Sequence, residues 1–152
     1  MNGGFYMAFL NSLNIAGSGL SATRLRMDII TENIANANTT RTENGGPYRR
    51  KTVVYEAIEN NSFDSMLKNK LNNSQQNGGV RVAQIVEDPS EFNYVYNPSH
   101  PDADERGYVA MPNVDKTQEM LDMMSATRVY EMNVNALNSV KNMAAKALEI
   151  GR

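Results

Sequence analysis

The chain has 152 residues, enough for one ordinary domain, yet 41% are apolar, 7% are aromatic and none is Trp, so large core anchors are scarce. A net charge of −2 offers nucleic acid no basic surface, and the lack of cysteine excludes disulfides, zinc–thiolate sites and thiol nucleophiles. Much of the remainder is Asn, Ser and Thr, which favours an elongated or partner-dependent protein over a compact globule.

The first third has a helical period. Tyr6, Phe9, Leu13, Ala16, Leu20, Thr23, Met27, Ile30, Ile34 and Ala37 recur in steps of three and four. That a/d stripe over about four heptads marks a coiled-coil seam. Asn tolerates a helix terminus, so the helix is expected to end around Asn36 or Asn38. No basic n-region precedes Arg24, and Asn11, Ser12 and Asn14 interrupt the early apolar residues, so no cleaved signal peptide is read. No run approaches the roughly 18 apolar residues that span a bilayer, so the chain is not read as transmembrane.

Inside this stripe lies Gly17-Ser18-Gly19-Leu20-Ser21-Ala22, a G-x-G-x-x-A string. A dinucleotide turn would need a strand before it and an acidic residue at a strand end about 20 positions on. Here the heptads cross both glycines without losing register, and Glu43 lies in an Asn/Gly-rich stretch. The string is read as helix, with small residues at 16, 17, 19 and 22 admitting a neighbouring helix at a cost of about 1 kcal/mol per Gly.

The middle is different in kind. "KTVVYEAI" (51–58), "GVRVAQIVED" (79–88) and "FNYVYNP" (92–98) are short, rich in β-branched or aromatic residues and bounded by turn formers, so three strands are expected. Between the first two, Phe63 to Leu71 is expected to form a helical turn or two, within an Asn/Gln-rich mobile insertion over 60–78. The basic cluster Arg49-Arg50-Lys51 is too small to suggest nucleic acid.

"HPDADERGY" (100–108) holds the only His beside Asp102, Asp104 and Glu105. As a calcium loop it would put Arg106 at the fifth position and Asn113 at the twelfth, where a carboxylate is wanted. As a zinc site it offers one His. A tight acidic turn, with Pro98 and Pro101 fixing it and Asp side chains bonding nearby amides, is the favoured reading. No metal, cofactor or small-molecule substrate is expected, and no G-x-S-x-G elbow is present.

The last third is again helical after Pro112 and Asn113. One row runs Tyr130, Val134, Leu137, Ala144 and Leu148, interrupted by Lys141; a neighbouring row runs Val129, Ala136, Val140, Met143, Ala147 and Ile150. Two rows imply contact with more than one neighbour. Six of the ten methionines lie between Met111 and Met143, where flexible thioethers suit contacts repeated in differing surroundings. The expected fold is mainly α with a small β part. Long N- and C-terminal helices (1–38 and 113–152) pair as an antiparallel coiled-coil-like unit around a central strand and loop region (39–112).

At "NIANANTT", preceded by "GSGLSATRLRMDIITE", the chain resembles the N-terminal signature of bacterial flagellar rod and hook proteins. The matching positions are Asn33, Ala35, Asn36, Asn38 and Thr39, and then Gly46, Pro47 and Tyr48 in "GGPYRRKTVV". "HPDADERGYVAMPNVD", "EMLDMMSATRVYEMNVNALNSVK" and "KALEIGR" are similar to a proximal-rod member. Residues 9–58 and 79–152 are covered, and 60–78 align with no family pattern.

The resemblance implies a non-enzymatic subunit of the basal-body rod, the tube that crosses the cell envelope. Its terminal helices would form the inner wall, and its middle would face outward. Phe9, Leu13, Ala16, Leu20, Met27, Ile30 and Ile34 would form one seam, answered by Tyr130, Val134, Leu137, Val140, Ala144 and Leu148. The implied partners are copies of itself, other flagellar rod subunits and the flagellar type III export apparatus. That apparatus would deliver the chain to the periplasmic side of the envelope without signal cleavage. Two other functions fit the residues alone: a cytoplasmic coiled-coil adaptor, and a small peptidoglycan hydrolase using the acidic residues near His100.

Overall fold

A computed structural model describes residues 3–43, 45–59 and 77–150. The Phe63–Leu71 segment lies outside those residues, as does the insertion up to residue 76.

Helix α1 runs Gly3–Ala35 without interruption. The G-x-G string is therefore helical, as its heptad register requires. Serine and threonine are weak helix formers because their hydroxyls compete for backbone groups. Here Ser18, Ser21, Thr23 and Thr31 instead donate to the carbonyls of Ile15, Gly17, Gly19 and Met27, one turn back on the same helix. The helix stops one residue short of Asn36. The Asn36 backbone N and its side-chain Nδ2 both donate to Glu32 O, each at 3.0 Å, so the last turn is closed by two bonds on one carbonyl.

Strands β1 (Lys51–Glu59) and β2 (Asn77–Glu87) form one two-stranded sheet, and β3 (Asn93–Tyr96) and β4 (Tyr108–Met111) form another. β2 begins two residues before the run read from the sequence. β4 is a strand that sequence pattern did not give: four residues between an acidic turn and Pro112 are too few to display a period of two. Its partner fixes it, with Asn93 opposite Met111 and Tyr96 opposite Tyr108 in antiparallel register.

Helix α2 runs Lys116–Ile150. Asp115 caps it: its Oδ1 accepts from Thr117 N at 2.8 Å and Gln118 N at 3.3 Å, and its carbonyl accepts from Glu119 N at 2.9 Å. Residues 113–115, expected as helix, are the lead-in, with Val114 buried.

The chain packs as two compact units. One comprises Arg26–Val54 and Gln84–Thr127. It contains most of the buried apolar side chains, among them Ile29, Ile30, Ala37, Tyr48, Val109, Val114 and Ala126. Ala37, Tyr48 and Val114 meet in one cluster.

The other comprises Met1–Leu25, Tyr55–Ala83 and Arg128–Arg152. Ala22 is its one fully buried apolar side chain among the described residues. Here Gly19 lets α2 approach closely, since a Cβ on it would sit 3.2 Å from Asn133 Nδ2. Gly17 faces open space, so it admits no neighbour. The start of β2 rests on α1 through Val80 N, which donates to Ser18 Oγ at 3.1 Å. Gly79 makes this approach possible: its φ is +125°, and a Cβ would collide with Ser18 Oγ.

Candidate functional site

Within the Arg26–Val54 and Gln84–Thr127 unit, three parts of the chain bring polar groups into one buried cluster. The last turns of α1 supply Asn33. The extended run entering β1 supplies Tyr48, Arg50 and Lys51. The first turn of α2, aimed by the Asp115 cap, supplies Glu119.

Asn33 and Glu119 are each 1% exposed. Asn33 Nδ2 donates to Glu119 Oε2 at 3.0 Å and to Lys51 O at 2.9 Å. Its Oδ1 accepts from Tyr48 OH and from Lys51 N, both at 2.9 Å. All four positions that an Asn side chain can fill are therefore filled, and its orientation is fixed. Glu119 Oε1 accepts from Arg50 Nε at 2.6 Å. The other Arg50 nitrogens lie 3.6 Å from Asp88 Oδ2 and 3.7 Å from Asp122 Oδ2. Arg26 also reaches Asp122, at 3.4 Å.

A buried carboxylate is tolerated only when paired and hydrogen-bonded. Glu119 meets both conditions. Burial opposes the charge on Arg50, but Glu119, Asp88 and Asp122 outweigh it and hold that guanidinium above its usual pKa. Tyr48 is pushed up to about 12, first by burial and then by the negative charges of Glu32, Glu119 and Glu87. The Ser90 amide and hydroxyl hold Asp88 below the usual carboxylate range.

Around this cluster a second layer binds backbone to side chain. Asn113 Oδ1 accepts from Arg50 N at 2.8 Å, and its Nδ2 donates to Ser90 Oγ at 2.7 Å. Arg49 donates to the carbonyls of Asp88 and Ser90 and lies 4.3 Å over the Phe92 ring. Lys51 Nζ pairs with Glu32 Oε1 at 2.6 Å. The basic triplet is thus consumed internally, each cation by a different partner. Among the described residues no buried side-chain nitrogen or oxygen is left without a partner. With both Glu119 oxygens and every polar position of Asn33 engaged by different segments, the arrangement joins those segments of chain.

The family-motif positions fall on this cluster and on the turn leading to it. Asn33 and Tyr48 are in it. Asn36 closes α1 and its Oδ1 accepts from Thr39 Oγ1 at 3.2 Å. Thr39 O accepts from Tyr48 N at 3.0 Å, and Asn38 Oδ1 accepts from Lys116 Nζ at 3.0 Å. Gly46, at φ +82°, turns the chain so that its carbonyl accepts from Thr42 N at 2.9 Å, with Pro47 following. Ala35 is exposed.

The seam positions are placed as follows. Phe9, Leu13, Ala16, Leu20, Met27 and Ile34 are half-buried, and Ile30 is buried. On α2, Tyr130, Val134, Leu137, Val140 and Ala144 are half-buried, whereas Leu148 is 64% exposed. The neighbouring row divides: Val140 and Ala147 turn inward, while Val129, Ala136 and Met143 are exposed.

The His100–Tyr108 stretch is a turn. Asp104 Oδ1 accepts from Arg106 N at 2.9 Å and Tyr108 N at 2.7 Å, and Gly107 supplies a φ of +81°. Asp102 Oδ2 accepts from Thr40 Oγ1 at 2.8 Å, which ties the turn to the segment that follows α1.

Sequence reasoning missed Arg50, Asp88, Asn113 and Glu119 as site residues. One signal pointed to Glu119. Extended backwards, the inward stripe of α2 runs from Tyr130 through Ala126 and Met123 to residue 119, placing a carboxylate where an apolar side chain belongs.

Two family models match the chain: "Flagella basal body rod protein" over residues 13–41, and "Flagellar basal body rod FlgEFG protein C-terminal" over 105–150. The chain is 48% identical to the flagellar basal-body rod protein FlgC of Bacillus subtilis, covering 96% of this chain and 100% of that protein. It is 44% identical to FlgC of Borreliella burgdorferi, covering 95% and 98%. It is 40% identical to FlgC of Salmonella typhimurium, covering 96% and 100%.

Proposed function

Because this chain belongs to the FlgC family of flagellar basal-body rod proteins and is a structural subunit of that rod, we propose that it occupies the proximal rod and polymerises through its terminal helices. Membership of a structural family implies a non-enzymatic role, and neither the adaptor nor the hydrolase alternative is favoured. In this reading residues 1–38 and 113–152 are the inner-wall segments, and 39–112 face outward. The neighbours are copies of this chain and other rod subunits, in heterologous contacts that extend a tube instead of closing a ring. Delivery runs through the flagellar type III export apparatus to the periplasmic side of the envelope. No helix among the described residues is long and apolar enough to cross a membrane.

The observation that carries the reading is apolar surface left on α2. Met132, Met143 and Leu148 are 61%, 62% and 64% exposed, on a helix whose other face is already turned inward. A neighbour that covers one such side chain gains roughly 1.5–3 kcal/mol. The test is Leu148→Asp, expressed as the sole copy in a motile bacterium. The variant should accumulate normally, fail to support swimming and leave truncated basal bodies in images of the envelope. Leu20→Asp and Leu137→Asp, on the seam itself, should do the same. Normal swimming by all three would overturn the reading.

A further inference from the structure

We propose that the buried Asn33–Glu119–Arg50 network is a register key: it selects one axial pairing of α1 with α2, and its contribution is specificity. The proposal concerns the single chain and does not depend on how copies assemble.

The apolar side chains around the network cannot make that selection. Met27, Ile30 and Ile34 on α1, and Met123 and Ala126 on α2, are aliphatic or small and recur in steps of three and four. Hydrophobic contact is non-directional, and unbranched Met refits to new neighbours. A heptad spacing therefore accepts a seven-residue slip with little change in what is buried.

Asn33 does not accept it. Three of its four hydrogen bonds go to the run entering β1, through Tyr48 OH, Lys51 N and Lys51 O, and the fourth goes to α2. Arg50, from that same run, holds the second Glu119 oxygen. Slipping one helix by a heptad moves Glu119 by about 10 Å along the axis, out of reach of both. The wrong register then takes both donors from the Glu119 carboxylate and leaves one Asn33 Nδ2 hydrogen unpaired, while the right one satisfies every atom. Replacing a whole buried ionic set by apolar residues is often neutral for stability. A polar residue at a helix interface earns its place by fixing alignment.

The chain lacks cysteine, so nitroxide labels attach only where Thr31→Cys and Ser125→Cys put them, at exposed positions on α1 and α2. Pulsed electron paramagnetic resonance on the full chain, diluted with unlabelled chain, reads the distance within one molecule. The labelled parent should give one narrow distance. The triple variant Asn33→Leu, Arg50→Met, Glu119→Leu should keep its helical circular dichroism and add a second distance, from a displacement of about 10 Å. The double variant Arg50→Met, Glu119→Leu removes both bonds to Glu119 while Asn33 stays held by the run entering β1, and it guards against a triple variant that does not fold; it too should show two distances. A single parental distance in either folded variant overturns the proposal. So does loss of the helix in both, since the network would then be needed for folding itself.

Discussion

Arg50 and Glu119 stand 69 positions apart in the chain and 2.6 Å apart in space, Nε to Oε1, with the carboxylate sealed from solvent. The second oxygen of that carboxylate faces Asn33 Nδ2, another donor. Both neighbours therefore give hydrogen, and the residue between them must accept on both sides.

A glutamine cannot do so. Whichever way Glu119→Gln turns, its NH2 meets either Arg50 Nε–H or Asn33 Nδ2–H. Asn33 cannot flip to help, because its Oδ1 already accepts from Tyr48 and Lys51. The substitution is expected to cost about 2–4 kcal/mol. Urea unfolding followed by circular dichroism measures it, with exposed Glu87→Gln as a control that changes little.

Tyr48 gives a pH signature. Its phenol titrates near 10.0 when unfolded and at about 12 when folded, so the folded state holds the proton longer. The stability this contributes is intact below pH 10 and is lost as pH rises from 10 to about 12. Absorbance titration should show one of the seven tyrosines ionising late. Tyr48→Phe should remove that component, flatten this part of the stability profile and cost about 1 kcal/mol at neutral pH through the lost bond to Asn33.

Two glycines should resist alanine. Gly79→Ala drives a methyl into Ser18 at a φ of +125°, and Gly107→Ala brings one within 2.9 Å of the Tyr96 ring at +81°. Each should cost about 1–3 kcal/mol. Gly17→Ala, in open space on a helix, should instead stabilise by up to about 1 kcal/mol. Thermal melts of the three variants would display opposite signs, and a stabilised Gly79→Ala would refute the geometry at Ser18.

Protection along α1 should be graded. Side chains from Phe9 to Leu20 are exposed or half-buried, whereas Ile29, Ile30 and Asn33 are buried. Local opening is cheapest where few apolar contacts hold the backbone. Hydrogen exchange on the dilute chain should therefore find amides of 9–20 exchanging faster than those of 26–34, and uniform strong protection would contradict it.

The periodic elements were legible before any coordinates. Steps of three and four carried α1 straight through Gly17 and Gly19, and β-branched clusters marked β1, β2 and β3. The motif residues Asn33 and Tyr48 could be singled out, but not what they do. β4 was illegible because four residues carry too little pattern, and only the facing register of β3 makes them a strand. Arg50 looked like one member of a solvated basic triplet, and Glu119 like one acid among seventeen.

Linear sequence, then, determined which segments coil and which extend, because helix and strand periods are properties of neighbours along the chain. Which polar groups meet was decided only by the folded arrangement. A hydrogen bond requires a donor and an acceptor at about 3 Å in the correct direction, and no spacing in the sequence specifies that for groups 69 positions apart.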